Sequence, residues 1–428
     1  MSPLQRTAGA VRERAAVLRY DDFRALLAGR TVSFLGDGLY AVALMWLVYD
    51  LTGSTGATGV AGFLSRIPNV GKVAVGPLVD RAPLSRVLVG AELAQAAVVV
   101  VVPVAALTGH LSLPLVLATV PFMAIGDVAA APAQSALLPR LLPGDALVRA
   151  NSAFAVATEG AQAVARGVAG VLVAAVGAVG LYVVDAATFL VAAACFLLLP
   201  SVSRDRDPGP FDLDAYLVDL REGIGVLTGS TARLVLAGSL FAAFLGGASF
   251  AVLPAFADGI GGPETYGLLL AGYTVGGVAG SVLAGFLDDR PLGALCVAGF
   301  AAAAALWVGS VLVGGALATV ALFSLARVPT GAYNVAVTAV FQTGVPDDLL
   351  GRVMAATSSA TNLALPLGML VGGAAGDVLG SRTVMLANGV GLLLTATFWA
   401  AVPSLRQFGP PSAVADGQFA QGVGGSPS

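Results

Sequence analysis

Charged residues are scarce in this chain. Only 11% of its 428 residues are charged and 57% are hydrophobic, whereas a water-soluble domain carries about a quarter charged residues. A surface so poor in charge cannot face water. The apolar residues also gather in blocks of about 20, the length that a helix needs to cross hydrocarbon. The sequence therefore predicts an all-α membrane protein that crosses the bilayer many times.

The chain also lacks the residue sets on which many other functions depend. Cys195 and Cys296 each lie inside an apolar run, and the single histidine, His110, has no second metal ligand nearby. The sequence contains no nucleophile–base set, no metal-ligand spacing and no nucleotide-binding loop. It contains no basic cluster that would bind nucleic acid. We therefore predict that the protein is not an enzyme, binds no metal or cofactor, and has no nucleic-acid partner.

Twelve apolar blocks predict twelve transmembrane helices in two groups of six. The predicted spans are 24–50, 56–79, 85–107, 112–138, 148–175, 178–200, 232–257, 264–287, 292–314, 316–342, 349–376 and 382–403. The first bundle is therefore placed at 24–200 and the second at 232–403. Residues 1–23 have no compact apolar core of the signal-peptide type and are interpreted as a cytosolic segment.

The segment between the halves, 201–231, is the most charged part of the chain. Its apolar residues fall near one helical face, which predicts an amphipathic helix on the membrane surface, a plain solvated loop being the alternative. The tail, 404–428, is rich in glycine, serine and proline and is predicted to be disordered. Arginines concentrate in alternate loops, with Arg382 as the exception, so both termini are expected to be cytosolic.

The two halves resemble each other in sequence. "GPLVDR" after the second span and "GFLDDR" after the eighth share the pattern Gly-x-Leu-x-Asp-Arg. "PGDALVRA" and "PDDLLGRV" also match, aligning Pro143 with Pro346 and Arg149 with Arg352. Two six-helix repeats in the same orientation predict a transporter whose central site lies between its halves.

These motifs resemble the major facilitator superfamily, in the branch of proton-coupled drug and macrolide exporters and the enterobactin exporter. "LLPRLLPGDALVRANSAF", "VPDDLLGRVMAATSS" and "DLREGI" resemble signatures of that branch, and the resemblance covers roughly residues 20–405. The family's loop motif continues with a glycine and basic residues, where this chain has Pro83, Leu84 and Ser85 before Arg86.

The resemblance implies that the two Asp-Arg corners form a cytosolic gate that opens during transport. A carboxylate there can face the N-terminal end of a helix, and a plain stop signal at the end of each span is the alternative. The predicted gate residues are Gly76, Asp80, Arg81, Arg86, Gly285, Asp289 and Arg290.

Acidic residues at membrane depth are expected to serve function, because a buried charge is costly. Glu92, Asp127 and Glu159 have no obvious basic neighbour at equal depth, which favours proton uptake near neutral pH. Asp37 joins them because the first span lines the cavity in the resembled fold. The alternative is that each is a hydrogen-bonded interior acid or, for Asp127 in particular, a partner of Arg81 or Arg86 on the cytosolic side. By depth, Arg66 is expected to pair with Asp37, and Arg166 with Asp185, as structural ion pairs.

The second half has one mid-membrane charge, Arg327, with Asn334 two turns further along the tenth span. We predict a substrate cavity around this pair. Its apolar wall is expected from four rings of the seventh span, with lipid contact or helix packing as the alternative role of most of them: Phe241, Phe244, Phe250 and Phe256. The eighth span also carries a glycine at every fourth position, which predicts close helix packing: Gly272, Gly276 and Gly280.

The sequence thus predicts a monomeric, proton-driven exporter of a small amphipathic compound in the plasma or inner membrane. An antibiotic, a siderophore or a lipid-like metabolite would fit. Exporters of this branch carry Gly-Pro on the fifth span, whereas Arg166 and Gly167 stand there in this chain. Uptake or flipping of a lysophospholipid or nutrient, and a non-transporting sensor or partner subunit, therefore stay open as alternatives.

Overall fold

The computed structural model describes residues 16–66, 83–201, 232–287 and 289–410. Within these ranges the regular structure is helical, and no strand is present. Eight of the described helices are long and apolar enough to cross a membrane. The helices are α1 (Asp21–Thr52), α2 (Thr55–Arg66), α3 (Leu84–Leu107), α4 (Leu113–Leu141), α5 (Leu147–Leu197), α6 (Ala232–Ala284), α7 (Leu292–Leu312), α8 (Ala316–Gly344), α9 (Asp347–Leu379), α10 (Ser381–Ala401) and α11 (Pro403–Arg406).

Two of the helices bend at the places where the sequence predicts span boundaries. Helix α5 is interrupted at Gly177, whose φ is 76°. Helix α6 is interrupted at Gly261 and Gly262, and Gly262 has a φ of 72°. A φ in this range is strained for a residue with a Cβ, so glycine is suited to both bends. Each long helix therefore consists of two straight segments that agree with adjacent predicted spans.

The chain divides into two compact units. The first comprises Met1–Leu47 and Leu64–Phe211, and the second comprises Val48–Phe63 and Asp212–Ser428. The division between halves agrees with the predicted bundles except for one segment. Residues 48–63, placed in the first bundle by sequence, make their contacts with the second unit.

The first unit is held together by a core drawn from α1, α3, α4 and α5. Phe23 of α1 meets Phe154 of α5 edge-to-face, with ring centroids 5.6 Å apart. Leu88 of α3 and Leu137 of α4 are fully buried in the same cluster. Aromatic pairs in this geometry add about 1 kcal/mol beyond the area they bury. The apolar faces of these helices therefore pack inward on one another.

In the second unit, α6 and α8 approach closely along the predicted glycine face. A Cβ built at Gly276 would collide with the carbonyl oxygen of Ser324 and lie 2.8 Å from the Cβ of Arg327. Gly272 and Gly280 face Ser324 and Val328 in the same way. The prediction of a packing face is confirmed, and this contact places Arg327 directly against α6.

The C-terminal segment is ordered further than the sequence predicts. Leu405 is fully buried, and the backbone N–H groups of Leu292 and Gly293 donate to the carbonyls of Gly409 and Phe408 at 3.1 and 3.2 Å. These bonds satisfy donors at the start of α7 that have no partner within the helix. The prediction of disorder is therefore wrong for 404–410. The remainder of the tail, the linker at 202–231 and residues 1–15 lie outside the described residues.

Large apolar side chains are widely exposed on the outer faces of both units. Leu107 is 88% exposed, Phe286 80% and Val378 82%. A water-soluble protein rarely leaves large apolar surfaces uncovered. The helices therefore present their apolar faces to hydrocarbon, as their length and hydropathy predict.

Replacement of Gly276 by alanine should loosen the α6–α8 contact. Overpacking of a tight contact costs about 1–3 kcal/mol, so the variant should unfold at a lower temperature in detergent. Gly259→Ala is the matched control on the same helix, because a Cβ there meets no atom within 4 Å. Equal thermal stability of the two variants would contradict the close contact.

Candidate functional site

The second unit encloses a cavity of about 440 Å³. This volume suits one small organic molecule, since ligand pockets typically measure about 300–1,000 Å³. Its walls come from α6 to α10 and are mainly apolar. The lining includes four aromatic residues, one cation and one amide: Phe250, Tyr273, Trp307, Phe323, Arg327 and Asn334.

One wall of the cavity is a continuous set of aromatic rings. The ring centroids of Phe250 and Tyr273 are 5.0 Å apart, those of Tyr273 and Phe323 6.3 Å, and those of Trp307 and Phe323 4.8 Å. The indole N–H of Trp307 donates to the backbone carbonyl of Met385 at 2.7 Å. The indole is therefore fixed in position, and the wall offers a preformed surface for a flat apolar group.

Arg327 is held against this wall by two contacts. Its Cζ lies 3.8 Å from the centroid of the Tyr273 ring, and its Nη1 donates to the hydroxyl of Thr330 at 2.6 Å. The Thr330 hydroxyl in turn donates to the backbone carbonyl of Arg327 at 3.0 Å. The Nε of Arg327 is enclosed and has no hydrogen-bond partner among the described residues. The guanidinium is therefore oriented, while part of its donor capacity is unused.

The structure brings three of the six predicted cavity residues together: Arg327, Asn334 and Phe250. Arg327 and Asn334 share a face, as their spacing of seven residues on one helix predicts. Phe241 does not line it and instead lies in a separate recess beside Phe398, 40% exposed. Phe244 is also absent from the described lining, and its backbone carbonyl faces Gly368 of α9.

The reason for this difference is the rotation of α6. Its cavity-lining positions recur at the spacing of one helical face: Ser239, Ala242, Ala243, Gly246, Ser249, Phe250 and Leu253. Phe241 and Phe244 lie to the side of this face. Of the four predicted rings, Phe250 therefore lines the cavity, whereas Phe241, Phe244 and Phe256 are absent from its described lining.

Glu92 forms a buried ion pair in the first unit. Its Oε1 accepts from the Nη1 of Arg30 at 3.3 Å, and its two carboxylate oxygens lie 3.2 and 3.1 Å from the hydroxyl of Ser33. The side chain of Glu92 is 0% exposed and that of Arg30 5%. The expectation that Glu92 has no basic neighbour is wrong. The proposal that Glu92 carries a proton stays a prediction. The carboxylate that would carry it faces the guanidinium of Arg30.

The other three acids differ in their surroundings. Asp37 is half-buried on α1, and Glu159 is exposed on α5. Asp127 lies on α4 at a position whose side chain is outside the described residues. The proposal that any of them carries a proton stays a prediction.

Of the two predicted ion pairs, the one between Arg166 and Asp185 is not what the structure describes, and the one between Arg66 and Asp37 stays a prediction. Arg166 donates to the side-chain oxygen of Gln162 at 2.6 Å, one turn earlier on the same helix, rather than to Asp185. Asp185 is fully buried and accepts from the Thr188 hydroxyl at 3.4 Å. Arg66, at the end of α2, is exposed. Equal depth on neighbouring helices was therefore not enough to predict the partner of Arg166.

The structure describes one of the two Asp-Arg loops that are predicted to form the gate. Gly285, Asp289 and Arg290 lie in an exposed turn after α6, where the N–H of Arg290 donates to the carbonyl of Leu287 at 2.9 Å. At the other corner Arg86 is exposed on α3. The remaining gate residues lie outside the described part of the chain: Gly76, Asp80 and Arg81. The gating role stays a prediction.

Asp377 is a site residue that the sequence analysis missed. Its carboxylate accepts four hydrogen bonds at the start of α2: from the backbone N–H groups of Thr55 and Gly56 at 2.7 and 3.1 Å, and from the hydroxyls of Ser54 and Thr55 at 2.8 and 2.9 Å. An acid here caps the helix and faces its positive end. Nearby, the Thr58 hydroxyl donates to the carbonyl of Ala251. These bonds attach residues 48–63 to α6 and α9.

An all-helical membrane protein with an internal aromatic cavity has the architecture of a small-molecule transporter. Comparison with known families agrees: the model of the Major Facilitator Superfamily matches residues 26–369 and 235–422. The chain belongs to this superfamily and is a transporter rather than an enzyme.

Two curated relatives are efflux proteins. The chain is 23% identical over 398 residues to macrolide efflux protein A of Streptococcus pyogenes, a match that covers 90% of this chain and 96% of the relative. It is 25% identical over 403 residues to the multidrug efflux pump Tap of Mycolicibacterium fortuitum, covering 90% and 95%.

Solved transporter structures share the fold. An inward-facing, occupied structure of a bacterial homologue of the human lysosomal transporter Spinster matches with a TM-score of 0.67 at 15% identity, covering 90% of this chain and 96% of that one. The nucleoside transporter NupG matches with a TM-score of 0.68 at 14% identity, covering 89% and 98%. At sequence identities this low, the structural similarity shows only that the fold is shared.

Replacement of Glu92 by glutamine should destabilise the first unit strongly. The change leaves the buried Arg30 cation without its counter-charge, which typically costs about 3–5 kcal/mol. The double variant Arg30→Gln/Glu92→Gln should recover much of the loss, because no charge is then left uncompensated. Thermal unfolding of both variants in detergent tests the pair, and a harmless single substitution would argue against it.

Replacement of Asp377 by asparagine should weaken the attachment of α2. Loss of a negative charge at a helix N-terminus costs about 0.3–1 kcal/mol, and the amide NH2 cannot accept the bonds that a second carboxylate oxygen accepts. Backbone amides at Thr55 and Gly56 should therefore exchange their hydrogens faster. Glu264→Gln, at an exposed acidic position on α6 outside this cap, serves as the control. Unchanged exchange at the start of α2 in the Asp377 variant would show that the cap does not hold the helix.

Proposed function

We propose that the protein is a proton-driven exporter of a small amphipathic compound. The observation that carries this proposal is the cavity of the second unit, which combines an aromatic wall with one oriented cation. Such a site suits a molecule that has both an apolar body and a polar group. The efflux proteins among its relatives support export as the direction of transport.

The proposed architecture has twelve spans in two parallel repeats of six, with both termini in the cytosol of a cell-membrane protein. The bends at Gly177 and at Gly261–Gly262 support the division of α5 and α6 into two spans each. The arginine-rich loops of the sequence support the orientation. Alternating access by rocking of the repeats is the mode of transport that such an architecture favours, and a monomer suffices for it.

Proton coupling is proposed through the acids of the first half: Asp37, Glu92, Asp127 and Glu159. The driving force would be the proton gradient, and no bound cofactor is required. A carboxylate that is paired with a cation, as Glu92 is with Arg30, loses that partner when the two helices separate. It can then bind a proton in place of the cation. Asp37 on α1 is half-buried and Glu159 on α5 is exposed, so both carboxylates are less enclosed than that of Glu92.

Uptake is the second candidate function, and one feature of the fifth predicted span favours it. Arg166 occupies the position where exporters of the resembled branch have a Gly-Pro pair, and it binds Gln162 within the same helix. The direction of transport therefore needs a direct measurement.

Flux in inverted membrane vesicles tests the proposal. With an acidic lumen, vesicles from expressing cells should accumulate a radiolabelled amphipathic compound to which the expressing strain becomes less susceptible. Accumulation should fall when the gradient is collapsed, and in at least one of the variants Asp37→Asn, Asp127→Asn and Glu159→Gln.

Two results would count against the proposal. If the pH gradient drives no flux and all three variants behave as the wild type, proton coupling is wrong. If right-side-out vesicles accumulate the compound together with protons, the protein is an importer.

A further inference from the structure

The cavity of the second unit contains an unbalanced positive charge. Among its described lining residues Arg327 is the only one with a formal charge, and the others are aromatic, aliphatic, hydroxyl or amide side chains. A cation at membrane depth is costly unless an anion accompanies it. Since a purely structural role could be filled by an apolar side chain at lower cost, the guanidinium indicates recognition of an anion.

The guanidinium is positioned before any ligand arrives. Its flat face rests on the ring of Tyr273 with a Cζ-to-centroid distance of 3.8 Å, and Thr330 fixes Nη1 at 2.6 Å. Gly277 lies beside it, and a Cβ there would be at an ordinary contact distance of 3.8 Å from Nη2. A group ordered in advance loses little entropy when it binds, so this arrangement favours binding of a ligand over a loose surface charge.

The unused donors of Arg327 share one edge. Thr330 occupies Nη1, whereas Nε has no acceptor among the described residues. Nε and Nη2 point in parallel from a planar guanidinium, and such a fork matches the two oxygens of a carboxylate or phosphate. Because Nε is enclosed in this conformation, an anion meets Nη2 first, and the bond to Nε forms when the wall around it opens. The aromatic rings next to it would cover the apolar part of the same molecule.

We propose that the transported compound carries an oxyanion, a carboxylate or a phosphate, that binds Arg327 while its apolar body lies on the rings of Tyr273 and Phe323. This inference rests on the proposed function, because it names the substrate class of the same cavity. A cationic amphipath would be repelled by Arg327 and would gain nothing from the fork. The protein is thus expected to distinguish compounds by their charge more than by the shape of their body.

A matched series of compounds with one aromatic body tests this selectivity. Naphthylacetic acid, naphthyl phosphate, naphthylacetamide and naphthylethylamine present an oxyanion, a neutral amide and a cation on the same rings. Calorimetric titration into the full-length protein in lipid nanodiscs should show at least one oxyanion binding about tenfold more tightly than the amide, since hydrogen bonds to an ionised group are stronger than those to a neutral one. The amine should bind more weakly than the amide.

Variants separate the charge from the general integrity of the cavity. Arg327→Gln should abolish the preference for the oxyanion, and Arg327→Lys should retain part of it, because lysine keeps the charge but lacks the fork. Arg382→Gln removes the same charge from an exposed position outside the cavity, and it should bind the series as the wild type does. The lysine variant also reports on the site if the glutamine variant fails to fold.

The outcomes distinguish this inference from the proposed function. Equal binding of the oxyanions and the amide, tighter binding of the amine, or no binding of any compound would overturn the inference, and proton-driven efflux of other compounds would still stand. A clear oxyanion preference that is lost in Arg327→Gln would support the inference even if no proton-driven flux were found.

Discussion

Hydrocarbon contains no water to solvate a charge, and this constraint determines how the protein places its ionisable groups. Each buried charge has to be matched by another group inside the protein or by a ligand. Arg30 and Arg327 show two different solutions. Arg30 meets a carboxylate and lies in a closed centre with Glu92 and Ser33. Arg327 meets a ring and a hydroxyl, beside an open cavity.

The difference between the two arginines separates a structural centre from a binding site. The charge of Arg30 is matched by that of Glu92, so removal of one partner mainly costs stability. Both guanidinium groups have an Nε without a described acceptor, but the charge of Arg327 has no counter-charge in the described lining of its cavity, so Arg327 has something to gain from an anionic ligand. The close packing of α6 and α8 at Gly276 is what sets the guanidinium on Tyr273. The site therefore depends on a helix contact that only a small residue permits.

The sequence was sufficient for features that depend on position along one helix. The bends at Gly177 and Gly262 follow from a break in hydropathy next to glycine, and Arg327 and Asn334 share a face because seven residues make two turns. Hydropathy alone likewise predicted an all-helical membrane protein, and the family match confirms the resemblance.

Features that depend on the rotation and approach of different helices were not predicted. The depth of Glu92 on its own span could not show that α3 turns it toward Arg30. The sequence named four candidate rings on α6, and only the rotation of that helix shows that Phe250, rather than Phe241, lines the cavity. Asp377 caps residues that precede it by more than 320 positions, and nothing local in the sequence marks that contact.

The central claim, that the oriented cation and the aromatic wall of the second unit bind the substrate, has one direct test. A diazirine derivative of naphthylacetic acid would be photo-crosslinked to the protein in nanodiscs, and the labelled peptides mapped by mass spectrometry. The account predicts labelling on α6 and α8 around Tyr273 and Arg327, suppressed by excess unlabelled acid. Competable labelling confined to the first unit, with α6 and α8 unmodified, would contradict it.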